Sequence, residues 1–226
     1  MTTTSLNILN IEDKNITASE IYNKLNHYEE SNENYFILNL ISKNEFSGKY
    51  IYIQNIEQQI YNIETRSFEN QIIPKANTIP FEITNNKILV WANKSNVNRL
   101  IFIFTSIIKG MTSSTINIAI NDVLAKINKQ NMKITKICLK DIALLEDLIG
   151  KFYTDLHSYG DSYGILKKYK DKIEKISIQY YIGDTFLSMT LNQCGNIILY
   201  KAYDDIDDDQ MDFLKKTIFI VRSFNG

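Results

Sequence analysis

The sequence predicts an α+β fold made of two tandem repeats, each running strand, helix, several strands and a closing helix. Three observations carry that expectation. Segments with period-2 alternation or β-branched runs recur along the chain, four amphipathic stretches interrupt them, and the two halves share their punctuation. In the first half TIPFEITNNKILVWANKSNVNRLIFIFTSIIKG reads as strand, Asn-Asn turn, strand and helix. In the second, FLSMTLNQCGNIILYKAYDDIDDDQMDFLKKTIFIVRSF reads the same way. The repeats are placed at residues 1–112 and 113–226, as one pseudo-symmetric body.

In chain order, strands are expected at Leu6–Ile11, Tyr35–Ser42, Lys49–Gln54, Ile60–Thr65, Ile79–Thr84 and Lys87–Trp91. A second set follows at Thr115–Ile120, Lys133–Lys140, Ile176–Ile182, Thr185–Leu191 and Asn196–Lys201. Helices are expected at Thr17–Tyr28, Asn96–Lys109, Asp141–Asp155 and Asp208–Phe224, because Thr17, Ser95 and Asp141 offer side-chain oxygens to the unpaired amides of a first turn. The turns TNN (Thr84–Asn86) and QCG (Gln193–Gly195) suit hairpins, since Asn and Gly accept positive φ. The stretch Arg99–Lys109, with Ile101, Phe102, Ile103 and Phe104 in succession, is apolar around more than one face and asks for burial on two sides.

Composition narrows the function. The 226 residues carry 25 basic and 26 acidic side chains, a formal charge of −1, and only Arg66, Arg99 and Arg222 are arginines. That balance fits no polyelectrolyte class, and 44% hydrophobic content supplies a proper core. The first residues lack the basic and apolar regions of a leader. The longest apolar run, Leu100–Ile108, is broken by Thr105 and Ser106 and falls short of the ~20 residues that span a bilayer. A soluble intracellular protein is therefore expected, in cytoplasm, or in a nucleus or viral factory, neither secreted nor membrane-bound. Two thiols, Cys138 and Cys194, make no disulfide framework and suit a reduced compartment. The 38 isoleucines and 25 asparagines fit the codon usage of an A+T-rich genome, such as that of a large DNA virus or an A+T-rich microbe.

The usual enzymatic motifs are missing. There is no CxxC, HxH or HExxH, no P-loop and no GxGxxG. His27 in a helix and His157 in a turn read as ordinary surface or boundary residues, and Cys138 in an alternating strand reads as an inert thiol. The acidic run Asp204, Asp205, Asp207, Asp208, Asp209 and Asp212 fails as a calcium loop, because Gln210 and Lys216 stand where glycine and glutamate are required. Its carboxylates are expected to cap and charge-complement the last helix. No catalytic residue, cofactor or metal is expected, and a nuclease using the 204–212 carboxylates is the weak enzymatic alternative.

Four short motifs point to a family. Cys194-Gly195-Asn196 precedes Ile197-Ile198-Leu199, and Asn85-Asn86-Lys87 precedes Ile88-Leu89-Val90. Gln130-Asn131-Met132 opens a strand ahead of Leu145-Glu146-Asp147-Leu148, with Asn7-Ile8-Leu9 as its first-half counterpart. With the order of elements, these resemble the TATA-box-binding protein family, a saddle of two repeats whose curved antiparallel sheet carries helices on one face. The likeness covers most of the chain, apart from segments at about 43–75, 111–128 and 156–172, and no motif exceeds three or four residues.

The resemblance implies a concave sheet that reads the minor groove through asparagines and kinks the duplex with apolar wedges. On that basis Asn7 and Asn131 would be the central readers, and Ile83 the wedge before the first hairpin. Asn192 takes the corresponding second-half position, where the family's apolar residue is missing. Phe36 and Phe186 would serve as alternative wedges, and Lys87 lies in the first hairpin. The implied function is a divergent transcription initiation factor that contacts A+T-rich promoter DNA through the sheet and recruits transcription machinery through its helices. The alternative is a protein-interaction subunit of a larger complex without DNA binding. Phosphate neutralisation usually needs a basic surface, and the one local lysine excess is KKYKDKIEK, holding Lys167, Lys168, Lys170, Lys172 and Lys175. Modest affinity, helped by partner subunits, is the expectation.

Overall fold

A computed structural model describes residues 2–13, 15–28, 34–127, 129–145, 148–156 and 162–217, and strands dominate them. In order the elements are β1 (Thr4–Ile11), α1 (Ala18–Asn26), β2 (Asn34–Ser42), β3 (Glu45–Asn62), β4 (Ser67–Thr84), β5 (Lys87–Trp91) and α2 (Lys94–Ile107). They continue with β6 (Ser113–Thr115), α3 (Ile120–Lys126), β7 (Met132–Leu145), β8 (Leu148–Asp155), α4 (Ser162–Lys168), β9 (Ile173–Ile182), β10 (Thr185–Asn192), β11 (Asn196–Leu199) and α5 (Asp208–Thr217).

This corrects the expected α+β saddle of two repeats with helices on one face. The described residues are mostly antiparallel sheet, in eleven strands, and their five helices run only seven to 14 residues. The largest local departure is Asp141–Asp155, expected as a helix and found as the β7–β8 hairpin. The residue expected as its cap, Asp141, has φ 53 and lies where the β7–β8 register shifts between Leu139 and Ile142. A bulge absorbs the extra residue there, and an apolar spacing that passes for helical is strand. Glu146, Asp147, His157 and the expected continuation of the last helix to Phe224 lie outside the described residues.

Two compact units divide the chain. One comprises residues 11–90 and 94–112; the other comprises the residues up to Asn10, Trp91–Asn93, and Ser113 onwards. In the first, β2, β3, β4 and β5 form an antiparallel meander. The pairs Phe36↔Tyr50, Gly48↔Phe81 and Phe46↔Ile83 place five large side chains on one face. There Phe104 of α2 meets Phe81 at 5.2 Å and Tyr22 of α1 meets Phe46 at 5.4 Å. Each such burial contributes roughly 1.5–3 kcal/mol. Gly48 is required by this packing, because a Cβ there would sit 2.7 Å from the Phe81 ring and 2.8 Å from Leu38. Helix α1 begins as expected, with the Thr17 hydroxyl accepting from the Glu20 amide at 3.2 Å.

Beyond the meander, β3 and β4 continue with no further strand beside them among the described residues. The β2 ladder stops at Asn34↔Tyr52 and the β5 ladder at Phe81↔Val90, while β3 and β4 stay paired out to Asn62↔Ser67. The result is a two-stranded arm. Pro74 and Pro80 fall outside the β5 ladder, where a missing amide donor costs least.

In the second unit the hydrogen-bonded order is β1-β11-β10-β9-β7-β8, with β6 beside β1. Alternation buries one face: Ile176 and Ile178 on β9, Leu187, Met189 and Leu191 on β10, Ile197 and Leu199 on β11. Phe213 of α5 stacks on Tyr180 at 4.0 Å. Helix α5 is capped by the Asp207 carboxylate, which accepts from the Gln210 amide at 2.9 Å, with Asp208 and Asp209 in the first turn. The β10–β11 turn needs glycine at 195, where φ is +84 and a Cβ would lie 1.9 Å from the Ile116 carbonyl oxygen.

Candidate functional site

The opposite face of the second unit's sheet is set by the same alternation. On β9 it presents Lys175, Ser177, Gln179 and Tyr181, and on β10 Phe186, Ser188, Thr190 and Asn192, paired as Tyr181↔Phe186, Ser177↔Thr190 and Lys175↔Asn192. A register shift between Ile134 and Lys136 lets β7 place both Lys133 and Lys136 on this face, opposite Gln179 and Ser177. Strand β8 adds Tyr153 opposite Cys138 and Asp155 opposite Lys136. The aromatics stay in solvent: Tyr153 is 66% exposed, Phe186 52%, Tyr181 44% and Tyr200 38%.

Asparagines cross the face at one end. Asn192 Nδ2 donates to Asn196 Oδ1 at 3.2 Å, Asn196 Nδ2 donates to Asn7 Oδ1 at 3.1 Å, and Asn7 Nδ2 donates to the Ala92 carbonyl at 2.7 Å. The row joins β10, β11 and β1. Nearer the middle, the hydroxyls of Ser177 and Thr190 lie 2.7 Å apart and those of Thr190 and Tyr200 3.0 Å apart.

Two hollows indent the face. One, of about 400 Å³, has Ser177 and Thr190 in its floor, with Tyr153, Tyr200, Lys136 and Lys175 around them. The other, of about 480 Å³, is lined by Asn117, Lys140, Lys151, Lys175 and Gln193, with Asp141 and Glu174 as its acids. Lys175 borders both. Lys151 Nζ lies 2.6 Å from Glu174 Oε1, and this hydrogen-bonded pair holds the Glu174 carboxyl below its usual range while raising the Lys151 ammonium. Lys140 Nζ donates instead to a neutral oxygen, Gln193 Oε1, at 2.9 Å and keeps its charge uncompensated by that contact. The Tyr153 phenol is raised chiefly by its hydrogen bond with Cys138, so it stays protonated at neutral pH.

The residues expected from sequence divide accordingly. Asn7, Asn192 and Phe186 all lie on this face, the two asparagines at one end and Phe186 at the other, and Asn192 is only 5% exposed. Asn131 stands apart in an exposed turn at Lys129–Asn131. Ile83 is fully buried and Phe36 nearly so, packed among Tyr28, Tyr50, Phe81 and Phe104 in the first unit. Neither offers a surface to a duplex, which corrects their reading as wedges. Lys87 is half-buried on β5. Sequence reasoning passed over Lys136, Tyr153, Thr190, Asn196 and Tyr200. The alternation K-I-S-I-Q and S-M-T-L-N, polar at every second residue of β9 and β10, is the signal that could have found this face.

No protein-family model matches the chain, and neither does any curated protein or any solved structure. The likeness to the TATA-box-binding family therefore rests on its short motifs alone. Among the described residues no helix is long and apolar enough to cross a membrane.

Proposed function

We propose that the chain is a nucleic-acid-binding protein that acts by contact rather than catalysis, holding its ligand on the open face of the second unit's sheet. One observation carries the reading: Lys133, Lys136 and Lys175 share that face with Tyr153, Tyr181, Tyr200 and Phe186, all substantially exposed. Lysines attract phosphates, and aromatic rings in solvent gain roughly 1–3 kcal/mol for each base they stack. A merely solvated charged face has no use for those rings. With Ile83 and Phe36 in the core, unstacked bases suit the face better than a duplex kinked by wedges. The amide row at Asn7, Asn196 and Asn192 supports contact with base edges at the other end. A place in transcription initiation, recruited with partner subunits, remains the cellular role this reading favours.

Fluorescence anisotropy tests it, with a single-stranded oligonucleotide and with A+T-rich and G+C-rich duplexes at 50 and 200 mM salt. The single strand is expected to bind best, and the double substitution Tyr181→Ala with Phe186→Ala to weaken it at least tenfold with an unchanged circular dichroism spectrum. Absence of binding to all three at low salt would sink the proposal.

A second reading, a subunit that docks other proteins, is favoured by the β3–β4 arm. There Ile63 is 82% exposed, Ile72 72% and Phe68 68%.

A further inference from the structure

We infer that the two hollows joined at Lys175 form a site for one nucleoside monophosphate unit, with the base in the hydroxyl-floored hollow and the phosphate in the lysine-lined one. The inference rests on the nucleic-acid reading and deepens it. A base is planar, apolar on its faces and rich in donors and acceptors along its edge. The first hollow answers each property: the Tyr153 ring at its rim for a face, and the Ser177, Thr190 and Tyr200 hydroxyls, already spaced at 2.7 and 3.0 Å, for an edge. At about 400 Å³ the hollow falls within the range of small-ligand sites.

The second hollow answers the phosphate. Three ammonium groups line it, and Glu174 compensates one of them, Lys151. Asp141 lines the hollow too and Glu174 also faces Lys175, so three ammonium groups meet two carboxylates and one positive charge is in excess for an anion, with Lys140 held by an uncharged amide oxygen and Asn117 as a further amide donor. Because Lys175 borders both hollows, a ligand that fills the two must carry its charge and its planar group one Lys175 side chain apart. A nucleotide does so, and inorganic phosphate or a free nucleoside fills only one.

The unit can belong to a strand or be a free nucleotide, and calorimetric titration separates the two. The probes are adenosine 5′-monophosphate, adenosine, inorganic phosphate, and a single-stranded oligonucleotide with and without a 5′-phosphate. Adenosine 5′-monophosphate is expected to bind at least tenfold tighter than phosphate or adenosine and to compete with the oligonucleotide. A further preference for the 5′-phosphorylated strand identifies a strand end as the natural occupant; its absence assigns the site to the free nucleotide or to a unit within a strand. Lys175→Gln is expected to lower adenosine 5′-monophosphate affinity tenfold or more. Tyr153→Leu is expected to do the same, leaving phosphate affinity within threefold, while Tyr153→Phe retains the ring and stays within threefold for the nucleotide. Equal affinity for phosphate and the nucleotide, or an inert Tyr153→Leu with native circular dichroism, overturns the inference. If the oligonucleotide binds and the mononucleotide does not, the inference falls and the nucleic-acid reading stands; if neither binds, both fall.

Discussion

Glu174, an acid of the lysine-lined hollow, links the fold to pH. Lys151 favours its ionised form in the folded chain, so its carboxyl titrates below the ordinary value of about 4.3. A carboxyl depressed on folding stabilises the fold fully above the unfolded value, and that contribution is lost as pH falls through the folded value. Glu174→Gln removes it at every pH. Urea unfolding is therefore expected to show the wild type more stable than Glu174→Gln at pH 6, with the difference shrinking below about pH 4. Because Lys151 is half exposed, the difference at pH 6 is small. A gap that persists unchanged to pH 3 would mean that Glu174 acts by packing or by its contact with Cys138 instead. Sequence showed none of this: the partners are 23 residues apart and meet only because β7 and β9 pair, with β8 laid on the far side of β7.

At the scale of elements, the β3–β4 arm is the feature with the clearest independence. Among the described residues neither β2 nor β5 lies beside it past Tyr52, and its side chains are largely exposed. Replacing residues 54–75 by Asn-Gly, which joins Ile53 directly to its partner Ala76 through a two-residue turn, is expected to preserve the fold. The melting temperature should move by no more than about 3 °C, since 1 kcal/mol corresponds to roughly 2–4 °C at this size. A larger loss, followed by thermal circular dichroism, would show that the arm supports the core. The arm also explains what the sequence concealed. A strand announces itself by alternation when one face is buried and the other is wet, and IEQQIYN against SFENQII has no buried face to impose that pattern. Strands were nonetheless expected at Lys49–Gln54 and Ile60–Thr65, shorter than the Glu45–Asn62 span of β3, and segment 43–75 fell outside the family likeness. Where a face is buried, as in Ile176–Ile182 and Thr185–Leu191, the strands were legible, and Thr17 announced α1 through its cap. At Asp141–Asp155 the apolar spacing fitted both periods, and the pairing of β7 with β8 settled it as strand.

For the molecule as a whole, charge sets how such a face can bind. With 25 basic against 26 acidic residues, the chain has no net field to draw in a polyanion from a distance, so affinity must come from short-range contacts. Salt dependence measures how many of those contacts are ionic. Asp155 lies 4.0 Å from Lys136 and compensates it, so Lys133, Lys140 and Lys175 are left to neutralise about three phosphates, and at about −0.7 per phosphate for a single strand the log–log slope of affinity against salt should be about −2. Lys175→Gln should reduce its magnitude by roughly 0.7. The Tyr181→Ala, Phe186→Ala double variant should lower affinity at every salt concentration and leave the slope unchanged, because stacking releases no counterions. Anisotropy titrations from 25 to 300 mM salt decide between two kinds of grip. A slope steeper than about −6, insensitive to the aromatic substitutions, would place binding on a diffuse lysine surface elsewhere on the chain. A shallow slope that responds to Lys175→Gln and not to the aromatic substitutions, with the rings controlling the intercept, is what a neutral protein reading nucleic acid through one sheet face must show.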